Sequence, residues 1–325
     1  MRKTVTGLLL VLVPALAGTA AAQAPDFFSL FQVFSLGDIG GPEDPFSGDI
    51  QGVTGARGST WFDRVSLNEL GGAFPSGLHA GGSVTLAGCV ERGGIEAGGW
   101  VELGASSIAG SVSAGLEVTG CGGAIAGDVL AGTATILDDF TVLGMVTEGA
   151  PFEPSVDLQA VGEFFRQRSA CYASRQATDE PRLGSHVVFT ACPGMNVFHV
   201  PADALNGVSL VTIVGPASAT VVINIVGAEV EIADLAWQLD PEIPIDRVLI
   251  NLPTALHLRL QQVAIIGNVL APYAEVDFPT GLVLGGLWVG SLRGGGTVHW
   301  GSYSGDDQPT PSEVRTWGGL KHLFR

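Results

Sequence analysis

The chain has 325 residues, a formal net charge of −17, 47 glycines and only 14% charged residues. That balance excludes a nucleic-acid partner, which needs clustered Lys and Arg, and argues against adhesion to an anionic membrane by bulk electrostatics. Val, Ile, Leu and Ala are abundant and patterned, which excludes disorder, and the length suffices for one large domain with a continuous core.

Residues 1–22 read as an export signal. Arg2 and Lys3 give a charged start, Leu8 to Leu16 an apolar stretch interrupted by Pro14, and Ala20-Ala21-Ala22 a small-residue cleavage site before Gln23. The mature chain is therefore expected to be secreted or extracellular. No transmembrane segment is expected after cleavage, because Gly, Pro or charge breaks every later apolar run. Phe31 to Leu36 reads as extended and ends at Gly37-Asp38; a loop follows from Gly40 to Gly48, and Asp49-Ile50-Gln51-Gly52 resumes extended structure.

From Gly77 the chain repeats itself every seventeen residues: GLHAGGSVTL, GIEAGGWVEL from Gly94, SVSAGLEVTG from Ser111 and DVLAGTATIL from Asp128. Ala80-Gly81, Ala97-Gly98, Ala114-Gly115 and Ala131-Gly132 fall in one column. Leu78, Ile95, Val112, Val129 and Val146 fall in another, and Gly93, Gly110, Gly127 and Gly144 close the units. A short fixed period with small residues at constant offsets marks a coil-stacking architecture. Each unit is too short for a helix pair and alternates as strands do. The fold expected is mainly β: a β-solenoid (β-helix-like), one rung per repeat, with one long α-helix packed alongside. Alternation sends Val84, Val101, Val118 and Thr135 inward, with Leu86, Leu103, Gly120 and Leu137. It sends Ser83, Thr85, Trp100, Glu102, Glu117 and Thr119 outward. The closing glycines are expected to turn corners with positive φ.

After Pro151 the period changes. Leu158, Val161, Phe165 and Tyr172 recur at helical spacing over about 155–174, with Ser155 as N-cap and Asp157 in the first turn. That stripe is expected to lie on one sheet of the solenoid. From His186 strands return: 208–214, 220–226, 229–232, 248–252, 256–260, 264–270, 275–278, 287–292 and 297–300. The domain thus spans 23–303, with repeats at 77–144 and a second strand-rich half at 186–303. Residues 304–325 form a polar, then mildly basic tail.

Four cysteines in an oxidising destination allow two disulfides in three connectivities. Cys171 with Cys192 comes first, since both flank one connection after the helix. Cys89 and Cys121 would then pair across two rungs, at about 4.8 Å per rung, near the upper limit of a bridgeable separation. The six histidines, His79, His186, His199, His257, His299 and His322, show no metal-ligand spacing. Carboxylates gather at Asp38, Glu43, Asp44 and Asp49 and again at Asp234, Asp240, Glu242 and Asp246. Both are candidate calcium ligands, without EF-hand order. Asp138-Asp139 resembles a pair of catalytic acids, but strand neighbours face opposite ways, and no placed acid–base pair emerges. No catalytic, cofactor or metal residue is assigned, and no enzyme is expected. Trp100 and Trp288 are expected to point outward, where a ring stacks on a sugar or anchors a protein.

The chain resembles the choice-of-anchor A domain, a secreted or surface-attached bacterial module regarded as an adhesin. The matching pieces run in order over roughly Phe31 to Tyr303: Gln32-Val33-Phe34-Ser35-Leu36-Gly37-Asp38, Asp49-Ile50-Gln51-Gly52, the Ala-Gly-Gly rungs and the helix. They continue through Met195-Asn196-Val197-Phe198, Thr220 to Ile225, Asn251-Leu252-Pro253, Val269-Leu270-Ala271-Pro272 and Gly285 to Leu292. The resemblance implies a solenoid with a flanking helix and an extracellular attachment role toward a protein, glycan or surface. Two departures stand out. Val53-Thr54-Gly55-Ala56-Arg57-Gly58 replaces the family's usual Arg-x-Ala-x-Gly-Gly, so the first rung is expected to be irregular. The sequence to Arg325 shows no LPxTG signal or apolar tail, which favours free secretion or non-covalent attachment. The expectation is a non-catalytic adhesin-like binding or structural module. One alternative is an ice-binding-type solenoid, against which the mixed outward set Trp100, Glu102, Glu117 and Ile136 speaks. The other is a polysaccharide-active β-helix enzyme.

Overall fold

The computed structural model describes residues 26–71, 75–299 and 301–305. The export segment, Trp300 and the tail after Gly305 lie outside the described residues.

Parallel pairing stacks the repeats in the register their columns demand. Leu78 pairs with Ile95, Ile95 with Val112 and Val112 with Val129, and all of these side chains are fully buried. Val84, Val101 and Val118 form a second such column, Leu86 and Leu103 part of a third. Each buried aliphatic contributes about 1.5–3 kcal/mol, so stacking identical residues builds the core without a cofactor. Val146 continues the first column but is 50% exposed, because no coil of the described residues lies beyond it, and Leu143 and Met145 are exposed beside it. The far end of the solenoid is closed by Phe189 and Phe198, with ring centroids 5.1 Å apart.

The Ala-Gly column has a steric cause. A Cβ at Gly98 would lie on the carbonyl oxygen of Gly81, one at Gly115 on that of Gly98, and one at Gly132 on that of Gly115. Only glycine lets successive coils approach at that corner. The closing glycines differ from expectation: Gly93 takes a positive φ of 78°, while Gly110, Gly127 and Gly144 do not. These three are required by close approach to the backbone one rung back. Corner side chains also bond across the period. Ser83 Oγ accepts from the Trp100 N–H at 3.1 Å, Ser111 Oγ from Asp128 at 3.0 Å and Asp128 Oδ1 from Met145 at 2.8 Å.

Stacking order departs from chain order. Val33–Ser35 pairs with Thr54–Ala56 on one side and with Leu287–Val289 on the other. The first strand therefore sits mid-solenoid, and the repeats grow away from it. After the last repeat the chain returns along the helix. It then builds back through Gly194–Pro201, Ala219–Val226, Val248–Asn251 and the start of Asn268–Leu284 to Leu287–Gly294. Thr54–Ala56 is regular, pairing in step with Leu78–Ala80. The same coil is irregular further on, with register shifts between Asp63 and Val65 and between Ser76 and Leu78. In the second half, Ala236–Leu239 and Gly194–Pro201 are strands that were not expected as such. The expected 256–260 and 264–270 segments run on as His257–Ile266 and Asn268–Leu284. Gln262, at φ 51°, and Asp139, at φ 54°, turn corners in left-handed geometry.

The long helix spans Leu158–Ser174, with Asp157 rather than Ser155 as N-cap; the Asp157 carboxylate accepts from the N–H groups of Gln159 and Ala160. Ser155 lies outside the first turn and bonds Glu96 instead. The helix lies on one face of the solenoid. Val161, Phe165 and Tyr172 form with Phe34, Leu249, Leu270 and Trp288 a second core. Trp288 stacks on Phe165 (centroids 5.5 Å, planes 21° apart) and donates its indole N–H to the Phe31 carbonyl at 2.8 Å.

Candidate functional site

Each coil has three sheet faces, and the helix occupies one of them. Beneath it the outward residues fall in a single column, His199–Asn224–Asn251–Leu270–Trp288–Phe34–Gly55–His79–Glu96, in pairwise register. Trp288 does point out of the solenoid as alternation requires, but the helix covers it completely. It is therefore a packing residue and not an exposed anchor. Trp100 is half-buried at a corner.

One cluster under the helix end has the composition of a catalytic site. Glu96 Oε2 lies 3.4 Å from His79 Nδ1 and accepts from the Ser155 N–H and hydroxyl at 3.0 and 2.8 Å; Oε1 accepts from Ser76 Oγ at 2.8 Å. Burial alone would raise the Glu96 pKa. The hydrogen bond and charge of His79, with the Ser155 donors, outweigh it and hold the carboxyl at about 2. The serine hydroxyl is spent on the carboxylate, not on the imidazole, whose Nε2 faces the Ser76 carbonyl at 3.2 Å. No base is left to activate a nucleophile. The cluster clamps the chain entering the helix onto the sheet.

Among the described residues nothing covers the two other faces, and they differ in chemistry. The first is charged in its second half. Glu229–His257–Glu275–Ser291 and Glu231–Arg259–Asp277–Arg293 run side by side across the rungs. Ion pairs join Arg259 to Asp277 at 3.9 Å and Arg293 to Glu275, and His257 Nε2 lies 3.9 Å from the Glu229 carboxylate. In the repeats this face continues with Trp61, Thr85, Glu102, Thr119 and Ile136.

The other face, termed the neutral face, has a central column without Asp, Glu, Lys or Arg. Its outward column reads His186–Leu210–Ala236–Ala264–Leu282–Thr297 in the second half. It reads Ser66–Cys89–Ser107–Ala124–Thr141 in the repeats. Ile50 bridges Val298 and Leu67 between them. Two acids border the column here: Asp49 turns its Oδ1 onto the Ser66 N–H at 3.0 Å, and Glu91 Oε1 accepts from the Cys89 thiol at 3.0 Å. The outward set weighed in the sequence belonged to the charged face and its corner, and this ladder was missed. Ser107, Ala124 and Thr141, seventeen residues apart, are the signal that separates it.

The remaining candidates disperse. Asp38 Oδ1 accepts from the Ser59 N–H at 2.7 Å and Asp240 Oδ1 from Glu242 at 3.2 Å, while Asp246 Oδ2 accepts from Ser304 Oγ at 2.5 Å. These carboxylates cap backbone and side chains. Among the described residues no group of three or more His, Cys, Asp or Glu converges on a metal position. Asp138 and Asp139 are both exposed, since the left-handed turn at Asp139 cancels the strand alternation. All four cysteines are free thiols. Cys89 lies on the neutral face beside Ser66 and Ser107, Cys121 on the charged face beside Asp138, so a corner of the coil separates them. No helix among the described residues is long and apolar enough to cross a membrane.

Residues 26–300 match the family model described as "Putative Ice-binding-like adhesive domain". Among solved structures, an ice binding protein from an Antarctic bacterium, Flavobacteriaceae, aligns with 89% of this chain and 100% of its own. The identity is 12% and the TM-score 0.33. No curated protein matches the chain.

Proposed function

This chain belongs to the ice-binding-like adhesive domain family, and from that premise we propose that it is an exported, non-catalytic attachment module whose neutral face holds an extended partner. The observation that carries this reading is the uncharged column from His186 to Thr141 on a chain of net charge −17. A flat sheet face whose central column carries no acid, Lys or Arg, while the adjoining face is laced with ion pairs, is suited to a broad contact with a surface. The motifs from Gln32-Asp38 to Gly285-Leu292 support a narrower placement beside choice-of-anchor A domains, and residues 1–22 support export. Catalysis finds no support in the buried Glu96, whose lone pairs are taken by His79, Ser76 and Ser155.

The test is retention of the purified protein on a panel of matrix proteins, polysaccharides and mineral surfaces. Ser107→Arg and Ala124→Glu should cut retention about tenfold, equivalent to about 1.4 kcal/mol, while Glu231→Gln on the charged face leaves it unchanged. Equal effects on both faces would refute the assignment. The small residues Ser66, Ser107, Ala124 and Thr141 also favour a second reading, in which the partner is ice. Suppression of ice recrystallisation that is lost in Ser107→Arg decides for it.

A further inference from the structure

We propose that the cleft beside the long helix, where Arg166 meets Tyr273, is a subsite for a carboxylate-bearing sugar. It is separate from the neutral face. The cleft encloses about 400 Å³ between the helix and the corner of the charged face, and is lined by Leu36, Arg166, His257, Tyr273, Glu275 and Ser291.

Tyr273 is 46% exposed, whereas Tyr172 and Tyr303 are buried at 0% and 2%. An exposed phenol ring against a cleft offers an apolar plate with a polar rim, the surface on which a pyranose ring stacks. The Arg166 guanidinium lies over this ring, 5.7 Å from its centroid, which holds both groups in place.

Arg166 is also short of partners. Its Nε is buried without a hydrogen-bond acceptor, and no ion pair joins it to an acid among the described residues. The acid that lines the cleft, Glu275, is paired with Arg293. Arg166 thus carries its charge without an acid partner among the described residues, on a chain whose overall charge is −17. A second guanidinium side chain, Arg57, packs against the same helix. A Cβ at Gly162 would lie 2.8 Å from the Arg57 Cδ, and Arg57 too has no acid partner among the described residues.

A ligand that completes this cleft needs an anionic planar acceptor for a guanidinium fork. It also needs an apolar ring face for Tyr273 and hydroxyls for Glu275, His257 and Ser291. A uronate residue supplies all three. A simple anion would leave the ring unused, and a neutral sugar would leave the guanidinium unpaired.

The experiment is calorimetric titration of the purified protein with oligogalacturonate and oligomannuronate. Neutral galacto-oligosaccharide and an aspartate-rich peptide of equal charge are the comparisons. A uronate is expected to bind at least about tenfold more tightly than either comparison, with affinity falling as salt rises. Arg166→Gln and Tyr273→Ala should each weaken uronate binding about tenfold. Arg166→Lys, which keeps the charge and loses the fork, should fall between Arg166→Gln and the parent. Failure of both uronates to bind at millimolar concentration overturns the proposal. So does equal binding of the neutral sugar or the peptide, or an Arg166→Gln variant that binds as the parent does. Ser107→Arg is expected to leave this titration unchanged, so failure here stays distinct from failure of the neutral-face assignment.

Discussion

Ser169 and Asn251 exchange hydrogen bonds across the interface between the helix and the solenoid. The Ser169 hydroxyl donates to Asn251 Oδ1 at 2.6 Å, and Asn251 Nδ2 donates back to the Ser169 carbonyl at 3.0 Å and to Asn224 Oδ1 at 2.7 Å. Asn224 Nδ2 donates in turn to the Tyr172 carbonyl at 3.1 Å, and His199 Nε2 faces the Arg175 carbonyl at 2.9 Å. The Ser169 and Tyr172 carbonyls are three residues apart in the helix, about 4.5 Å of rise, the Arg175 carbonyl belongs to the extended C-cap that follows, and the column beneath them advances about 4.8 Å per rung. The two periods match, so one column of side chains satisfies carbonyls of the last helical turn and of its C-cap.

Asn251→Leu should therefore strand the Ser169 hydroxyl and remove the donor to its carbonyl in a fully buried site. A buried group left unsatisfied costs about 1–3 kcal/mol, and a loss in that range is expected in the urea midpoint. Amide exchange should rise in residues 165–174 before it rises in the repeats. Uniform exchange throughout the molecule would refute the idea that this column locks the helix.

Much of the solenoid was legible in the sequence, because identical residues stack on their own copies. A column such as Leu78-Ile95-Val112-Val129 is both a repeat and a core. The mid-solenoid position of Val33–Ser35 was not legible. Its partners Thr54 and Leu287 lie at opposite ends of the domain, and no local period joins them. Trp288 misled because alternation fixes which side of a sheet a residue takes, and not what covers that side. The neutral face escaped notice because corners at left-handed residues such as Asp139 reset the alternation within a single strand.

Glu96 ties stability to acid. Its carboxyl is held at about 2 in the folded chain, against an ordinary value of 4.5. A depressed folded pKa gives stability that is fully present above 4.5 and is lost as the pH falls toward 2. The shift corresponds to about 3 kcal/mol. Urea unfolding of the parent and of Glu96→Gln should differ most at neutral pH and converge by pH 2. A difference that does not change with pH would mean that the His79 and Ser155 contacts do not stabilise the ionised form.

Gly98 and Gly41 separate steric need from composition. A Cβ at Gly98 meets the Gly81 carbonyl oxygen, whereas one at Gly41 meets nothing within 4 Å. Gly98→Ala should force neighbouring coils apart and cost about 1–3 kcal/mol, as overpacking does. Gly41→Ala should stay within about 0.5 kcal/mol of the parent. Thermal melts of the two variants test this, and equal shifts would deny the close-approach role of the Ala-Gly column.

Phe34 tests whether the two halves of the solenoid unfold as one. Its strand is the only rung that pairs with both Thr54–Ala56 and Leu287–Val289 among the described residues. Its fully buried ring lies 5.2 Å from Phe31 and 5.4 Å from the Phe165 ring of the helix. In a stacked array, stability is a sum of coil terms and nearest-neighbour interfaces, so damage at the joint weakens the coupling of everything on either side. Phe34→Ala should cost about 3–5 kcal/mol and split a single calorimetric transition into two, one for the repeats and one for the strands after His186. A variant that loses stability yet keeps one sharp transition would show that the helix, lying across both halves, couples them without the joint.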